Sequence, residues 1–234
     1  MRLVINEFES RVKEIDIYFT FLENILESDV ELHFPKKKRQ KYKKIDGELT
    51  KILRANGFLL LYNLVESSVK KSIEEIFNSL NSEGATYKDV SEEMKKKWIE
   101  IKYKNFKNQE YVAQKIFECI SNIELDIINM PFDAKHSISG NVDSRKIKDF
   151  SSSYGFSSKT HHSTKDGEKL LTVKSKRNDL AHGVISFCDC GKDYTIEDLI
   201  TIKKQVISYL RGILKNVGKF IDEKQYLAVQ PLVV

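Results

Sequence analysis

Residues 57–66 have the sequence GFLLLYNLVE, and this stretch decides the fold class that we expect. Its apolar side chains lack the alternation of a half-buried strand, and on a helix they would cover almost the whole circumference. A helix of that character is buried among other helices instead of lying on a surface. The sequence therefore predicts one long central helix, or two nearly continuous ones, over residues 45–80, ended by Gly84.

Apolar side chains recur at helical spacing on both sides of this central helix. They predict a first helix over residues 4–26 and a long last helix that begins at Thr195, whose capping-box partner is Asp198. The apolar stripe of the last helix consists of Leu199, Ile202, Val206, Leu210, Ile213, Val217 and Phe220. Further helices are predicted from Asp89, as an N-cap with Glu92 as its partner, and over residues 110–129, 144–154 and 168–182.

The scarcity of turn residues supports the same fold class. Three prolines and ten glycines in 234 residues are too few for a β sandwich or barrel, which needs many turns. Residues 131–167 are rich in Ser, Gly, His and Asp, and the helical pattern resumes after them, so we predict an irregular insertion there. The expected architecture is an all-α helical bundle, formed by a single domain over residues 1–234.

Charge and cysteine content bear on compartment and partners. The net charge of +5 indicates a mild preference for anionic partners. The three cysteines, Cys119, Cys188 and Cys190, form no regular framework, which indicates free thiols in a reducing compartment. No signal peptide is recognisable, and the most apolar run, residues 57–65, has about half the length that spans a bilayer. We therefore expect a cytoplasmic protein that does not enter a membrane.

The candidate site lies in residues 174–187, KSKRNDLAHGVISF. Arg177 and His182 have four residues between them and would lie about 140° apart on an ideal helix. Asn178 and His182, in contrast, share a helix face. If the helix unwinds at Gly183, His182 can turn towards the arginine.

These three side chains suit the cleavage of a phosphodiester. Histidine, with a reference pKa of about 6.5, can exchange protons near neutral pH. Arg177 supplies a fork of donors for a phosphate and for charge on a pentavalent phosphorus, and Asn178 can orient the imidazole or bind the phosphate. No metal is needed when the nucleophile is the 2′-hydroxyl of RNA. The alternative is a surface salt bridge at Arg177 and a helix C-terminus at His182, where the dipole favours a cation.

A basic run, PKKKRQKYKK at residues 35–44, is the best candidate for binding RNA. Its cations would contact phosphates and its tyrosine would stack on a base. The residues with these predicted roles are Lys36, Lys37, Lys38, Arg39, Lys41 and Tyr42. Two other interpretations are a solvated loop between two helices and a nuclear-import signal, a pattern that lysine-rich proteins match easily.

Two polar residues of the central helix are candidates for a supporting role. Glu66 follows the apolar run, and a buried carboxylate needs a partner. Arg177 or His182 would serve if this helix packs beneath the motif, although a purely structural ion pair fits equally well. Asn63 lies three residues before Glu66 on the same helix face and is a second supporting candidate.

Residues 161–166 contain histidines but do not have the pattern of a metal site. His161 and His162, with His136 and Asp166 near in sequence, lie in an irregular stretch without the spacing of metal ligands. We therefore predict no metal site and no cofactor.

Three separated blocks resemble a known family. They are RANGFLLLYNLVESSV at residues 54–69, SGNVDSRKIKDFSSSYGF at 139–156, and KSKRNDLAHGVISF at 174–187 with its continuation GKDYTIEDL at 191–199. In this order they resemble the HEPN superfamily of all-α domains from prokaryotic toxins and RNA-cleaving defence proteins. More narrowly, they are similar to the MAE_28990/MAE_18760-like HEPN family.

This resemblance implies a metal-independent endoribonuclease. HEPN proteins typically form homodimers in which two Arg-x4-His motifs face each other. In the cleavage that the resemblance implies, the 2′-hydroxyl of the RNA attacks the adjacent phosphate and leaves a cyclic phosphate. The residues carried over are Arg177, Asn178 and His182. A role in anti-phage defence, or as a toxin restrained by an antitoxin or other partner protein, also follows from the resemblance alone. The alternatives are a non-catalytic RNA-binding or protein-interaction module of the same fold, and a structural helical adaptor.

Overall fold

The computed structural model describes residues 1–27, 30–36, 39–106, 117 and 140–228, and most of them are helical. In chain order the elements are α1 (Arg2–Glu27), β1 (Glu31–Lys36), β2 (Arg39–Lys44), α2 (Gly47–Glu83), α3 (Glu92–Phe106), α4 (Ser144–Tyr154), α5 (Glu168–Ala181), α6 (Phe187–Lys192) and α7 (Ile196–Asp222). Short 3-10 turns at Tyr87–Asp89 and His162–Gly167 precede α3 and α5. The all-α prediction is confirmed.

The predicted central helix is α2, which packs against α1, α5, α6 and α7. It begins where the Asp46 carboxylate accepts a hydrogen bond from the Glu48 backbone N–H at 2.9 Å, and it ends at Gly84, whose φ of 63° is left-handed. Its buried apolar side chains face all of these neighbours: Ala55, Phe58, Leu61, Tyr62, Leu64, Val65, Val69, Ile73, Ile76, Phe77 and Leu80. Contact with four helices explains why the stretch 57–66 is apolar around most of its circumference.

The predicted last helix is confirmed in its start and in its buried face. The Thr195 backbone N–H donates to Asp198 Oδ2 at 3.0 Å, and the Asp198 N–H donates to Thr195 Oγ1 at 3.2 Å, which completes the capping box. All seven residues of the predicted apolar stripe of α7 are buried. No helix in the described ranges combines the length and apolar character needed to cross a bilayer.

The predicted start of α3 at Asp89 is wrong. Asp89 instead accepts a hydrogen bond from the Thr86 backbone N–H at 2.8 Å, which closes the preceding 3-10 turn, and α3 begins at Glu92. The reason is that Thr86 and Asp89 already form a capping box at the same three-residue spacing. The helix predicted over residues 110–129 lies outside the described residues, apart from residue 117.

The basic run is a β-hairpin, so the interpretation as a solvated loop is wrong. Strands β1 and β2 are antiparallel, with a register that runs from Glu31↔Lys44 to Lys36↔Arg39. The rings of His33 and Tyr42 stack across the strands, with centroids 4.8 Å apart and planes at 14°. Such cross-strand ring pairs stabilise extended chain, and the lysine content of the run hid this signal.

The described part of the predicted insertion, residues 140–167, contains one helix and one 3-10 turn. The short helix predicted at 144–154 is confirmed as α4. The segment between α5 and α7 contains α6, whose Gly191 lies directly against α2. A Cβ at Gly191 would stand only 1.9 Å from the Lys51 carbonyl oxygen, so only glycine permits this close approach of the two helices.

Substitution Gly191→Ala should therefore lower the free energy of unfolding by about 3 kcal/mol, because the new methyl group forces α6 away from α2. Gly47→Ala is the matched control, since a Cβ at the exposed start of α2 meets nothing within 4 Å. Its effect should stay within about 0.5 kcal/mol. Urea denaturation measures both values, and equal stabilities of the two variants would contradict the close packing of α6.

Candidate functional site

Helix α5 presents the three candidate catalytic residues at its C-terminal end. It runs to Ala181, His182 is its C-cap, and Gly183 has a left-handed φ of 67°. The His182 backbone N–H still donates to the Asn178 carbonyl oxygen at 3.0 Å, so the helical turn is intact up to this residue. Arg177 and His182 therefore keep the helical separation of about 140°.

The guanidinium of Arg177 is held by three acceptors. Nη1 donates to Asn178 Oδ1 at 2.7 Å and to the Gly140 carbonyl oxygen at 3.4 Å. Nη2 donates to Glu66 Oε2 on α2, also at 3.4 Å. Arg177 thus forms an ion pair, but its side chain is only 25% exposed and belongs to a wider polar network.

Tyr62 forms the floor beneath this guanidinium. The Arg177 Cζ atom lies 4.1 Å from the centroid of the Tyr62 ring, close enough for a cation–π interaction. The tyrosine is buried on α2, and burial raises the pKa of its hydroxyl, which keeps the ring neutral. The ring therefore supports one side of the guanidinium while the acceptors fix its position.

Residues 140–143, which we call the strap, contact both α2 and α5. Each of the four contributes one hydrogen bond to a residue of these helices. The pairs are the Gly140 carbonyl with Arg177 Nη1, Asn141 Oδ1 with Asn178 Nδ2 at 2.7 Å, the Val142 N–H with the Tyr62 hydroxyl at 3.1 Å, and Asp143 Oδ2 with Lys174 Nζ at 2.6 Å. The strap therefore joins the arginine site to the rest of the bundle.

Asn178 bridges Arg177 and the strap. Its Oδ1 accepts from Arg177 and its Nδ2 donates to Asn141. Within the described residues, its amide makes no hydrogen bond to the imidazole of His182. Of the two functions expected for Asn178, the structure thus gives no support to orienting the histidine.

His182 is exposed to solvent. Among the described residues, its imidazole makes no hydrogen bond or ion pair. Both ring nitrogens are consequently accessible for proton exchange with a molecule that reaches this end of α5. Arg177 is held in place, which suits binding of a phosphate. His182 is accessible to solvent, which suits transfer of a proton.

Asp143 is a buried anion that anchors the strap beneath α5. It caps α4 by accepting from the Lys146 backbone N–H at 3.1 Å, and it pairs with Lys174 and, at 3.2 Å, with Arg145. Burial by itself would raise the pKa of this carboxyl, but the hydrogen bonds from Lys174, Lys146 and Arg145 outweigh it and lower the pKa. Sequence analysis missed this residue, although the position before a predicted helix indicates an N-cap.

The two supporting candidates lie in different surroundings. Glu66 contacts Arg177, the first of the partners expected for it. Asn63, in contrast, lies on the α1 side of α2, where its Oδ1 accepts from Arg11 Nη1 at 2.9 Å. The structure brings Glu66 to the arginine and leaves Asn63 away from it.

The candidate RNA-binding residues lie on the hairpin, whose main contacts are between its own strands. Lys36 belongs to β1, whereas Arg39, Lys41 and Tyr42 belong to β2. Tyr42 is exposed and stacked on His33. Lys37 and Lys38 lie outside the described residues.

The histidines of the 3-10 turn before α5 have local partners. His161 Nδ1 lies 2.8 Å from Ser163 Oγ, and its ring lies 4.0 Å from that of His162. Asp166 pairs with Lys148 at 2.6 Å. The described ranges contain no group of three or more His, Cys, Asp or Glu side chains that could hold a metal ion, and His136 lies outside those ranges.

Comparison with known proteins identifies one family. The profile described as HEPN_MAE_28990-like HEPN matches residues 2–226 of the 234 residues. This range includes α2, the strap, α5 and α7. Searches of curated proteins and of solved structures give no match.

The buried pair of Asp143 and Lys174 predicts a pH-dependent contribution to stability. Asp143→Asn should lower the free energy of unfolding at neutral pH by about 2 kcal/mol, the size of a hydrogen bond to a charged group. Because the pKa of Asp143 is lowered on folding, this contribution is complete above the unfolded pKa of about 3.9 and is lost as the pH falls further, through the folded value.

Urea denaturation of the wild type and Asp143→Asn across the acid range measures this difference. Lys174→Met serves as the partner variant, and the double variant should lose less than the sum of the two single losses. A difference between wild type and Asp143→Asn that stays constant down to the most acid pH would contradict the assignment.

Proposed function

This chain belongs to the HEPN_MAE_28990-like HEPN family, and we propose that it is a metal-independent endoribonuclease with a composite site formed by two copies. One observation carries the proposal. The Arg177 guanidinium is fixed by acceptors on α2, α5 and the strap, while His182 stands exposed at the end of the same helix. A fixed cation and an accessible proton-transfer group, brought to one phosphate by two copies, are what phosphodiester cleavage requires.

Arg177 retains donors that suit a phosphate. Both hydrogens of Nη1 are accounted for by Gly140 and Asn178, and one hydrogen of Nη2 by Glu66. The Nε–H and the second Nη2–H therefore have no partner among the described residues. These donors can bind two oxygens of a phosphate and stabilise the extra charge of the pentavalent transition state.

His182 would transfer the proton that the reaction requires. The imidazole accepts the proton of the 2′-hydroxyl, the 2′-oxygen attacks the adjacent phosphorus, and the bond from phosphorus to the 5′-oxygen breaks. The 5′-oxygen takes up a proton, and the products are a cyclic phosphate end and a 5′-hydroxyl end. Because the nucleophile belongs to the RNA, the chain needs to supply only acid–base and charge-stabilising groups.

A second copy of the chain would complete the site. Arg177 points towards α2 and the strap, whereas His182 is separated from it by about 140° around the helix. A single copy therefore does not direct both side chains at one phosphate. In a homodimer with facing α5 helices, His182 of one copy approaches Arg177 of the other, which agrees with the arrangement that family membership implies.

The hairpin is the proposed RNA-binding element. Its cations would contact the phosphate backbone, and the exposed stack of Tyr42 on His33 offers a ring surface to an unpaired base. The side chains with this proposed role remain Lys36, Lys37, Lys38, Arg39, Lys41 and Tyr42. Anti-phage defence or a toxin–antitoxin role, with a partner protein that restrains cleavage, rests on family membership alone.

Glu66 favours one alternative function. Its carboxylate offsets the charge of Arg177, which reduces the attraction of the site for a phosphate. A HEPN module that binds RNA or a protein without cutting would retain such a neutralised arginine. The cleavage experiment below separates this alternative from the ribonuclease.

Purified protein should cleave RNA in the presence of EDTA and leave cyclic phosphate ends. Arg177→Ala and His182→Ala should each reduce the rate by at least about a hundredfold, the lower range for loss of a proton-transfer group. Arg2→Ala and His162→Ala, which change exposed residues of α1 and of the turn before α5, are matched controls and should cleave normally. Folded wild type that leaves every RNA intact, or active Arg177 and His182 variants, would contradict the proposal.

A further inference from the structure

The chemistry of arginine determines how the amide of Asn178 is oriented. A guanidinium carries only donors, so the Asn178 atom that lies 2.7 Å from Arg177 Nη1 must be the carbonyl oxygen. The other end of the amide is then the NH2 group, which can only donate. The Asn141 atom that lies 2.7 Å from it must therefore be an oxygen as well.

Asn141 accepts from the amide of Asn178 in the orientation that Arg177 imposes. If Asn178 turned by half a rotation about its last bond, its oxygen would face Asn141 Oδ1 and its NH2 group would face the guanidinium. Both contacts would then join like partners, acceptor to acceptor and donor to donor, which is unfavourable. The hydrogen bonds form a directed relay from Arg177 through Asn178 to Asn141.

We propose that Asn141 is a positioning residue, which holds the amide of Asn178 in the orientation that Arg177 requires and thereby steadies the guanidinium. Its contribution to cleavage rests on the proposed function, whereas its effect on the arginine does not. The strap gives Asn141 a fixed base, because its neighbours Gly140 and Val142 hydrogen-bond to Arg177 and Tyr62. Asn141 acts through Asn178, and among the described residues it makes no hydrogen bond to Arg177.

The exposure of Asn141 makes the proposal testable without unfolding the chain. Its side chain lies at the surface, where substitutions usually change stability by about 0.5 kcal/mol or less. Asn141→Ala removes the acceptor, and Asn141→Asp keeps an oxygen acceptor towards Asn178. Asn216→Ala is the matched control, because this asparagine also makes side-chain hydrogen bonds, to the carbonyls of Ser157 and Lys159, but it lies on α7.

The first measurement is independent of RNA. The NMR signal of the Arg177 Nε–H group, assigned by its absence in Arg177→Ala, reports how rigidly the guanidinium is held. The wild type, Asn141→Asp and Asn216→Ala should show a rigid group, and Asn141→Ala a mobile one. An Arg177 signal that is equally rigid in Asn141→Ala would overturn the proposal.

The second measurement is a double-mutant cycle on cleavage. Asn141→Ala should lower kcat by about tenfold with little change in KM, the size expected for a lost hydrogen bond that supports a charged group. In an Asn178→Ala background the same change should have no further effect, because the relay is already broken. A further tenfold loss in that background would show that Asn141 acts independently and would overturn the relay. If the wild type cleaves no RNA, the proposed function fails. The NMR result alone then decides whether Asn141 holds the Arg177 guanidinium in place.

Discussion

A guanidinium that is largely removed from water needs hydrogen-bond acceptors at its N–H edge and a packing partner at its face. The rest of the site is arranged to supply these partners to Arg177. Only 25% of its side chain is exposed, and its charge is shared among Glu66, Asn178, the Gly140 carbonyl and the Tyr62 ring. These partners come from three separate parts of the chain. The packing of α5 on α2 and the course of the strap are therefore linked through one side chain.

The central helix α2 forms part of the core and also contributes two side chains that contact the Arg177 guanidinium. Tyr62 and Glu66 are one turn apart on α2, so they reach the guanidinium from beneath and from one side. The surrounding residues of α2 are buried against the other helices, which fixes these two side chains on a rigid element. A site built on a buried helix keeps its geometry better than one built on loops.

The sequence predicted the helices well, because helical periodicity is a pattern among residues that are close together in the chain. The stripe of α7 and the apolar run of α2 follow directly from helical periodicity. The pairing of Glu66 with Arg177 was one of two expected partnerships, since a carboxylate beside an apolar run needs a cation. The sequence could not predict that Asn63 and Glu66 contact different helices. The two residues lie only about 60° apart around α2, and this small angle places Asn63 against α1 and Glu66 against α5.

The remaining features depend on contacts between distant segments. Neither Tyr62 nor Asn141 carries a local signal for its function, because the function exists only once the strap crosses α2 and α5. The hairpin was mistaken for a loop because its lysines conceal the cross-strand pair of His33 and Tyr42. Sequence patterns thus located the helix that carries the site and two partners of its arginine, Glu66 and Asn178, but not Tyr62 or the strap.

The separation of Arg177 and His182 by about 140° around α5 motivates the central proposal that two copies share one site. The most direct test is the cleavage rate of a mixed dimer, purified with two different tags, that joins one Arg177→Ala copy to one His182→Ala copy. Such a dimer retains one intact arginine and one intact histidine, on different copies. The account predicts cleavage at least about tenfold faster than by either variant alone. A mixed dimer as inactive as both parent variants, beside an active wild type, would contradict it.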